Sequence, residues 1–387
     1  MPVQVDVAVG KAPPAVSEPR RAVIVSEHDY RTKRRANMHP IADAFLRLGW
    51  DVTFVSLRFS PLSRLKGDSR TFLWHRANAL EFQNGIGCYL WRTPFHPIHT
   101  RIAMIDRHSA FAYRLYARLP SRQLDALLRD ATVVVVESGL GAMLIERIRA
   151  LSPAAIISYL ASDELATVGV HPFVQTSLEA TVAKLDHVCL PSPRMAKNFA
   201  WAADRLFHVP HGLDVADFMD GEGGNPYDAP LNAVSVGSML FDPQALLYAA
   251  KAHPDIRFHV IGAGTRFDVP ANVRLYDEMP FKETIPFLRH ASIGIAPYRA
   301  APGCDYLCDT SMKLMQYEYL GIPAVCPDFA AGERDHRFGY VPGDYGSIAQ
   351  AFAAAKASGP FSPRPFLAWD DVAQRLVNPR AFNDTRL

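Results

Sequence analysis

Short apolar runs, each closed by a turn and followed by a stretch of helical period, recur along most of this chain. Residues 22–26 (AVIVS) read as a buried strand, 38–48 as a helix stopped by Gly49, and 51–57 (DVTFVSL) as a second strand. This β-α-β opening is how doubly wound domains begin. A turn and a strand over 85–94 follow, then runs over 132–137 (TVVVVE), 154–159 and 188–193. Apolar on both faces, such runs suit a parallel sheet covered by helices rather than a half-exposed antiparallel one.

The pattern breaks at 219–230 (MDGEGGNPYDAP), where glycine, proline and acids leave no periodicity, and this reads as a linker. Strand-helix alternation then resumes. Strands are expected over 233–236, 258–261, 273–276 and 293–298, with a helix over 281–288. The stretch 310–323 (TSMKLMQYEYLGIP) is the strongest single element: Ser311 can cap a helix that Gly321 and Pro323 end, and another strand follows over 324–327. Met312, Met315 and Tyr319 fall on one helical stripe and are expected to pack on the sheet. A last helix over 369–376 comes after a proline-rich crossing at 360–365. The expected fold class is therefore α/β with two Rossmann-like domains, 1–218 and 231–362, joined by the linker 219–230 and followed by a crossing helix and tail, 363–387.

Composition narrows the function classes. The 387 residues suffice for two sizeable cores, and a net charge of +2 argues against a general polyanion or nucleic-acid binder. Five scattered cysteines form no metal-ligand pattern; Cys304 and Cys308 are close but lack partners, and a reducing compartment is expected. The first 21 residues lack the apolar core of a signal peptide, and no run is long enough to span a bilayer. The protein is expected to be soluble or to rest on a membrane without crossing it.

One segment departs from the ordinary balance. Between Pro94 and Arg129, Arg101, Arg107, Arg114, Arg118, Arg122 and Arg129 interleave with Phe95, Ile102, Met104, Ile105, Phe111, Tyr113, Leu115 and Tyr116. Such a mixture suits the interface of an anionic membrane. An amphipathic helix packed on its own domain with a solvated basic face is the competing reading.

Candidate chemistry lies at the ends of strands. A helix start offers free N–H groups and a positive dipole end, so Lys313 at the start of the 312–320 stretch suits a phosphate, with Ser311 and Met312 as backbone or hydroxyl donors and Gln316 one turn on. Asp163 and Glu164, in the loop closing the 154–159 strand, stand where an open α/β sheet places its ligands; Asp163 as a helix cap is equally natural. Asp29 and Glu27 hold the same position after the first strand. Tyr298 can reach a phosphate, and Gly237, Ser238 and Met239 permit close backbone approach to a ligand. His211 reads as a turn histidine; His28, His96, His99 and His108 lack metal-ligand spacing.

Motif order points to a family. FHVPHGLDVADF (207–218) resembles the segment leading to the hinge in glycosyltransferases of the GT-B fold. The strand and glycine turn at 233–237 and the run FHVIGAG resemble strands of their nucleotide-binding half, and SMKLMQYEYLGIP resembles the helix that holds the donor diphosphate. Retaining members carry two glutamates around that helix; here Gln316 stands at the later position and Cys308 at the earlier, with Thr310 in the same relation to Glu318. The whole chain is most similar to the inverting glucuronosyltransferases of xanthan gum assembly, membrane-associated bacterial enzymes. That resemblance implies UDP-glucuronate as donor, a polyprenyl-diphosphate-linked oligosaccharide as acceptor, a β-linked product, no cofactor and no metal. It implies a peripheral position on the cytoplasmic face of the inner membrane, with the N-terminal domain facing membrane and acceptor. It further implies Asp163 as the base, ribose and uracil contacts at Glu278 and Met279, and a crossing C-terminal helix. Arg101, Arg107, Arg114 and Arg118 become the membrane or acceptor residues, and Arg31 or Lys313 the contact for the sugar carboxylate. A UDP-sugar epimerase and a two-domain sugar-binding protein share this outline; turnover of the donor alone separates the first.

Overall fold

Runs of Val and Ile that can bury both faces build two separate sheets in the computed structural model, which describes residues 20–33, 35–219 and 223–387. The first sheet holds β1 (Arg21–Ser26), β2 (Asp51–Phe59), β3 (Leu80–Gln83), β4 (Ile86–Arg92), β5 (Val133–Glu137), β6 (Ile156–Leu160), β7 (His187–Leu190) and β8 (Leu206–His208). Their order is β3-β4-β2-β1-β5-β6-β7-β8. The short β3 pairs antiparallel with β4, whereas the other pairs are parallel. Residues 133–136 of β5 have no exposed surface, because β1 and β6 flank them and helices cover both faces.

The second sheet holds β9 (Asn232–Val236), β10 (Arg257–Ile261), β11 (Val273–Tyr276), β12 (Ile293–Ile295), β13 (Ala324–Pro327) and β14 (Arg337–Tyr340), ordered β11-β10-β9-β12-β13-β14 and parallel throughout. Both sheets place β-strand carboxyl ends, and so their loops, toward one shared cleft. The expected linker at 219–230 lies partly outside the described residues, as do the leader and Arg34 of the loop after β1.

The helix Met312–Leu320 begins and ends as its residues dictate. The Ser311 hydroxyl accepts from the Leu314 N–H at 3.3 Å, and Gly321 closes it with φ of 69°. The stripe facing the sheet differs from the expected one. Of the expected residues Met315 is buried but Met312 and Tyr319 only half-buried, whereas Tyr317 is fully buried with its hydroxyl donating to the Val234 carbonyl at 2.7 Å. The ring lies so close on β12 that a Cβ at Gly294 would meet it within 2.3 Å, so only glycine fits there. The sequence pattern over 310–323 missed this because a tyrosine hydroxyl finds a buried backbone acceptor only in the assembled sheet.

The C-terminal helix Trp369–Val377 returns to the first sheet. Val372, Ala373 and Leu376 share a core with Ile41 and Phe45 of the helix Met38–Arg47, and Ser158 of β6 donates to the Leu376 carbonyl at 2.6 Å. Arg47 forks onto Asp370 at 2.6 and 2.9 Å. No described helix is long and apolar enough to cross a membrane.

Candidate active site

Strand ends from both sheets line one cavity of about 1030 Å³, at the upper end for a small-molecule site. From the second half it takes Met239, Glu278, Met279, Tyr298, Ser311, Met312, Lys313 and Gln316; from the first it takes Asp163. Residues from Asp163 to Gln316, far apart in sequence, are thus brought to one space by the two sheets.

Lys313 is the unusual member. Its side chain is buried, its Nζ has no hydrogen-bond partner among the described residues, and that Nζ stands over the Tyr298 ring at 5.1 Å to the centroid. Burial pushes its ammonium down to about 7, since nothing nearby replaces the lost water. A buried cation without a partner is costly, and an anionic ligand would relieve it. Tyr298 and Ser311 share a hydrogen bond of 2.5 Å beside it, and burial holds Tyr298 neutral against the opposing pull of the Ser311 contact. Gln316 is buried one turn along, whereas Glu278 is exposed at the far rim and Met279 half-buried.

Asp163 faces this group from the first half. Its carboxyl is pushed up to about 7 by burial, with the nearby Glu137 adding to the rise and a hydrogen bond from Tyr306 at 2.8 Å opposing it. A carboxyl that ionises near neutrality is well matched to proton abstraction. Glu164, the neighbouring candidate, has both oxygens held by the Asn198 amide at 2.9 and 3.0 Å and does not line the cavity. Asp29 is committed elsewhere, accepting from Arg31 at 2.8 and 2.9 Å, and Glu27 takes Arg58 at 2.9 Å and the Leu140 N–H at 2.7 Å.

Arg31 does not reach the cavity. Its guanidinium is buried between Asp29 and Glu81, the latter at 2.7 Å, so it staples the loop after β1 rather than reading a ligand. That loop instead presents Lys33, exposed at the cavity wall, and Arg35, which is paired with Asp43. Sequence could not separate these basic neighbours, because the turn alone decides which side chains fold inward.

Glu137 lines the cavity too and was legible only as the residue ending an apolar run. Burial pushes it up to about 7; Ser26 donates to it at 2.5 Å. Its place at the carboxyl end of β5 was the available signal. His211 is buried at the cavity with Nδ1 3.2 Å from the Thr310 carbonyl oxygen and Nε2 3.1 Å from the Asn37 amide, so it bridges the halves. Burial lowers it to about 4, leaving the ring neutral. All five cysteines are free and buried, and among the described residues no three His, Cys, Asp or Glu side chains stand together as a metal set would.

The four arginines assigned to membrane or acceptor divide in space. Arg101 and Arg107 line a second cavity of about 840 Å³ with Thr167, His171 and Arg299. Arg114 lies over the Phe173 ring at 4.8 Å, and Arg118 is exposed at the end of the helix Ala103–Arg118. On that helix Met104 and Phe111 are 78% and 71% exposed, with Ile105 and Leu115 beside them, whereas Tyr113 and Tyr116 are buried against the first sheet. Apolar side chains so exposed on a basic helix mark a contact surface.

Comparison with known proteins places the chain in a family and a fold. Residues 24–191 match the family model described as glucuronosyltransferase GumK, N-terminal domain. Over 367 residues the chain is 42% identical to the UDP-glucuronate:glycolipid 2-beta-glucuronosyltransferase of Xanthomonas campestris pv. campestris, covering 94% of this chain and 91% of that protein. Among solved structures, trehalose-6-phosphate synthase OtsA superimposes with a TM-score of 0.61 at 12% identity, covering 92% of this chain and 96% of its own. The trehalose 6-phosphate synthase of Burkholderia multivorans gives 0.58 at 12% identity, covering 94% and 93%. The two sheets and their shared cleft are the GT-B fold of glycosyltransferases.

Proposed function

The chain belongs to the GumK family of glucuronosyltransferases, and from that membership we propose that it transfers glucuronate from UDP-glucuronate to a lipid-linked saccharide by one inverting displacement. The observation that carries the reading is that one cavity is lined from one half by a buried Lys313, whose Nζ has no hydrogen-bond partner among the described residues, and from the other by Asp163.

An inverting transfer needs a base on the acceptor hydroxyl and a stabilised diphosphate leaving from the opposite face. Asp163 takes the proton as the oxygen attacks the anomeric carbon. Lys313, the Ser311 hydroxyl and the N–H groups at the start of Met312–Leu320 take the charge that develops on UDP. Gln316 and Tyr298 supply neutral hydrogen bonds at the same end, and Met239 flanks it. Glu278 accepts from the ribose hydroxyls, and the Met279 backbone meets the uracil. The donor carboxylate falls to Lys313 or to Lys33, since Arg31 is occupied. Lysine and helix dipole do here what a divalent cation does in other transferases, so the reaction proceeds without a metal. The acceptor, a polyprenyl-diphosphate-linked oligosaccharide of xanthan type, enters from the side of Ala103–Arg118. That helix rests on the anionic inner membrane at its cytoplasmic face.

The test is transfer by the purified chain from a panel of UDP-sugars onto lipid-linked acceptor, with and without chelator, and with the anomeric configuration of the product read by NMR. An α-linked product, a requirement for added metal, or equal use of UDP-glucose would each overturn the corresponding part. Turnover of donor without acceptor would favour the epimerase reading.

A further inference from the structure

Asp163 has a partner from the opposite half of the molecule. The Tyr306 hydroxyl donates to its Oδ1 at 2.8 Å across 143 residues of sequence. Tyr306 has no exposed surface and stands in the turn Cys304–Tyr306, which runs through Leu307–Thr310 directly into Ser311 and the helix Met312–Leu320. The same turn is docked along the whole loop that carries Asp163. Thr167 donates to the Pro302 carbonyl at 2.7 Å, and Glu164 lies against Gly303, where φ is 69° and a Cβ would come within 2.9 Å of a carboxylate oxygen. Ser192 reaches Asp309 at 2.7 Å and Lys197 reaches Asp305 at 3.3 Å beside it.

We propose that Tyr306 is a positioning residue for transfer: carried on the nucleotide-binding half, it reaches Asp163 only when the halves are shut, holds Oδ1, and leaves Oδ2 for the acceptor hydroxyl. This rests on Asp163 being the base. Because Tyr306 and Lys313 sit on one continuous segment, a donor seated in the cradle fixes the turn that aligns the base. The acid is therefore ordered when both substrates can be present, which limits reaction with water in an open cleft.

The electrostatics give a distinguishing readout. Groups facing Asp163 are Glu137 from the end of β5, Tyr159 from β6, Tyr298 beyond β12 and Tyr306. Glu137 raises the acid and Tyr306 lowers it. Burial and the Asp163 charge hold Tyr306 itself far above its ordinary range, so it remains a donor at every working pH. Removing its hydroxyl withdraws the group that favours the carboxylate, and the acid then ionises at higher pH.

The experiment is Tyr306→Phe beside Asp163→Asn in the full chain, measuring UDP affinity, kcat, and the pH profile of kcat/KM. Tyr306→Phe is expected to leave the UDP Kd within about twofold, lower kcat at least tenfold, and move the acidic limb up by about one pH unit. An unmoved limb with Asp163→Asn inactive would overturn the role of Tyr306 alone, because a merely structural loss lowers rate without shifting the limb. Activity surviving in Asp163→Asn would overturn the base and the positioning role together. Should the phenylalanine variant not fold, site-specific 3-fluorotyrosine at 306 keeps the shape and strengthens the donor. It is expected to move the limb downward, and an unmoved limb there would equally overturn the proposal.

Discussion

Lys313 should take up a proton when UDP binds. Burial without a partner lowers its ammonium from the usual 10.5 to about 7, so in the empty protein at about pH 8 roughly one tenth of the molecules carry the charge. A diphosphate within reach favours the charged form and returns the group toward its ordinary value. Binding at about pH 8 should therefore be accompanied by uptake of about 0.9 proton, falling to about 0.5 at pH 7. Calorimetry in buffers of different ionisation enthalpy reads this number as the slope of the observed heat. Lys313→Met should abolish the slope and weaken UDP binding together. The same substitution should stabilise the empty protein: a fall from 10.5 to about 7 corresponds to on the order of 5 kcal/mol of unfavourable charging, of which relaxation returns a part, leaving about 1–3 kcal/mol. The sign with pH follows from linkage. Between about 7 and 10.5 the unfolded chain holds a proton that the folded one does not, so wild-type stability rises across that window and the advantage of the methionine variant shrinks. A slope near zero at pH 8, or the same slope in Lys313→Met, would refute the assignment of Lys313 to the diphosphate.

Asp163→Asn should lower kcat by about a hundredfold to ten-thousandfold while UDP affinity stays nearly intact, since the base acts only in the chemical step; parallel loss of nucleotide binding would count against it. Arg101→Glu with Arg107→Glu should cut binding to anionic vesicles more than tenfold, from about 1 kcal/mol per basic residue near the surface. Sedimentation that does not respond would count against a membrane contact at Arg101 and Arg107. Gly294→Ala should destabilise the fold by about 1–3 kcal/mol, because the new methyl group meets the Tyr317 ring. A denaturant midpoint unchanged from wild type would show that the ring can withdraw.

What the residues determined unaided was local and periodic. Short β-branched runs such as 133–136 suit covered parallel strands, and Ser311 and Gly321 punctuate the cradle helix by chemistry that acts within a few positions. A lysine at that helix start, a carboxylate at the end of β6, and the order of the motifs were enough to expect a nucleotide cradle on one half and a base on the other, and the structure brings Lys313 and Asp163 to one cavity. Tertiary structure decided which of several equivalent residues face the cleft. Asp163 rather than Glu164 lines the cleft, both oxygens of the latter being held by Asn198, and Arg31 is withdrawn because Asp29 and Glu81 neutralise it. Glu137, Lys33 and Tyr306 join the site through loop geometry and through contacts between halves, such as the one spanning 143 residues from Asp163 to Tyr306. The reason is physical. Propensity, capping and periodicity are set by neighbours along the chain, whereas burial, charge pairing and proton affinity depend on which distant groups arrive beside a side chain when the two sheets close on each other.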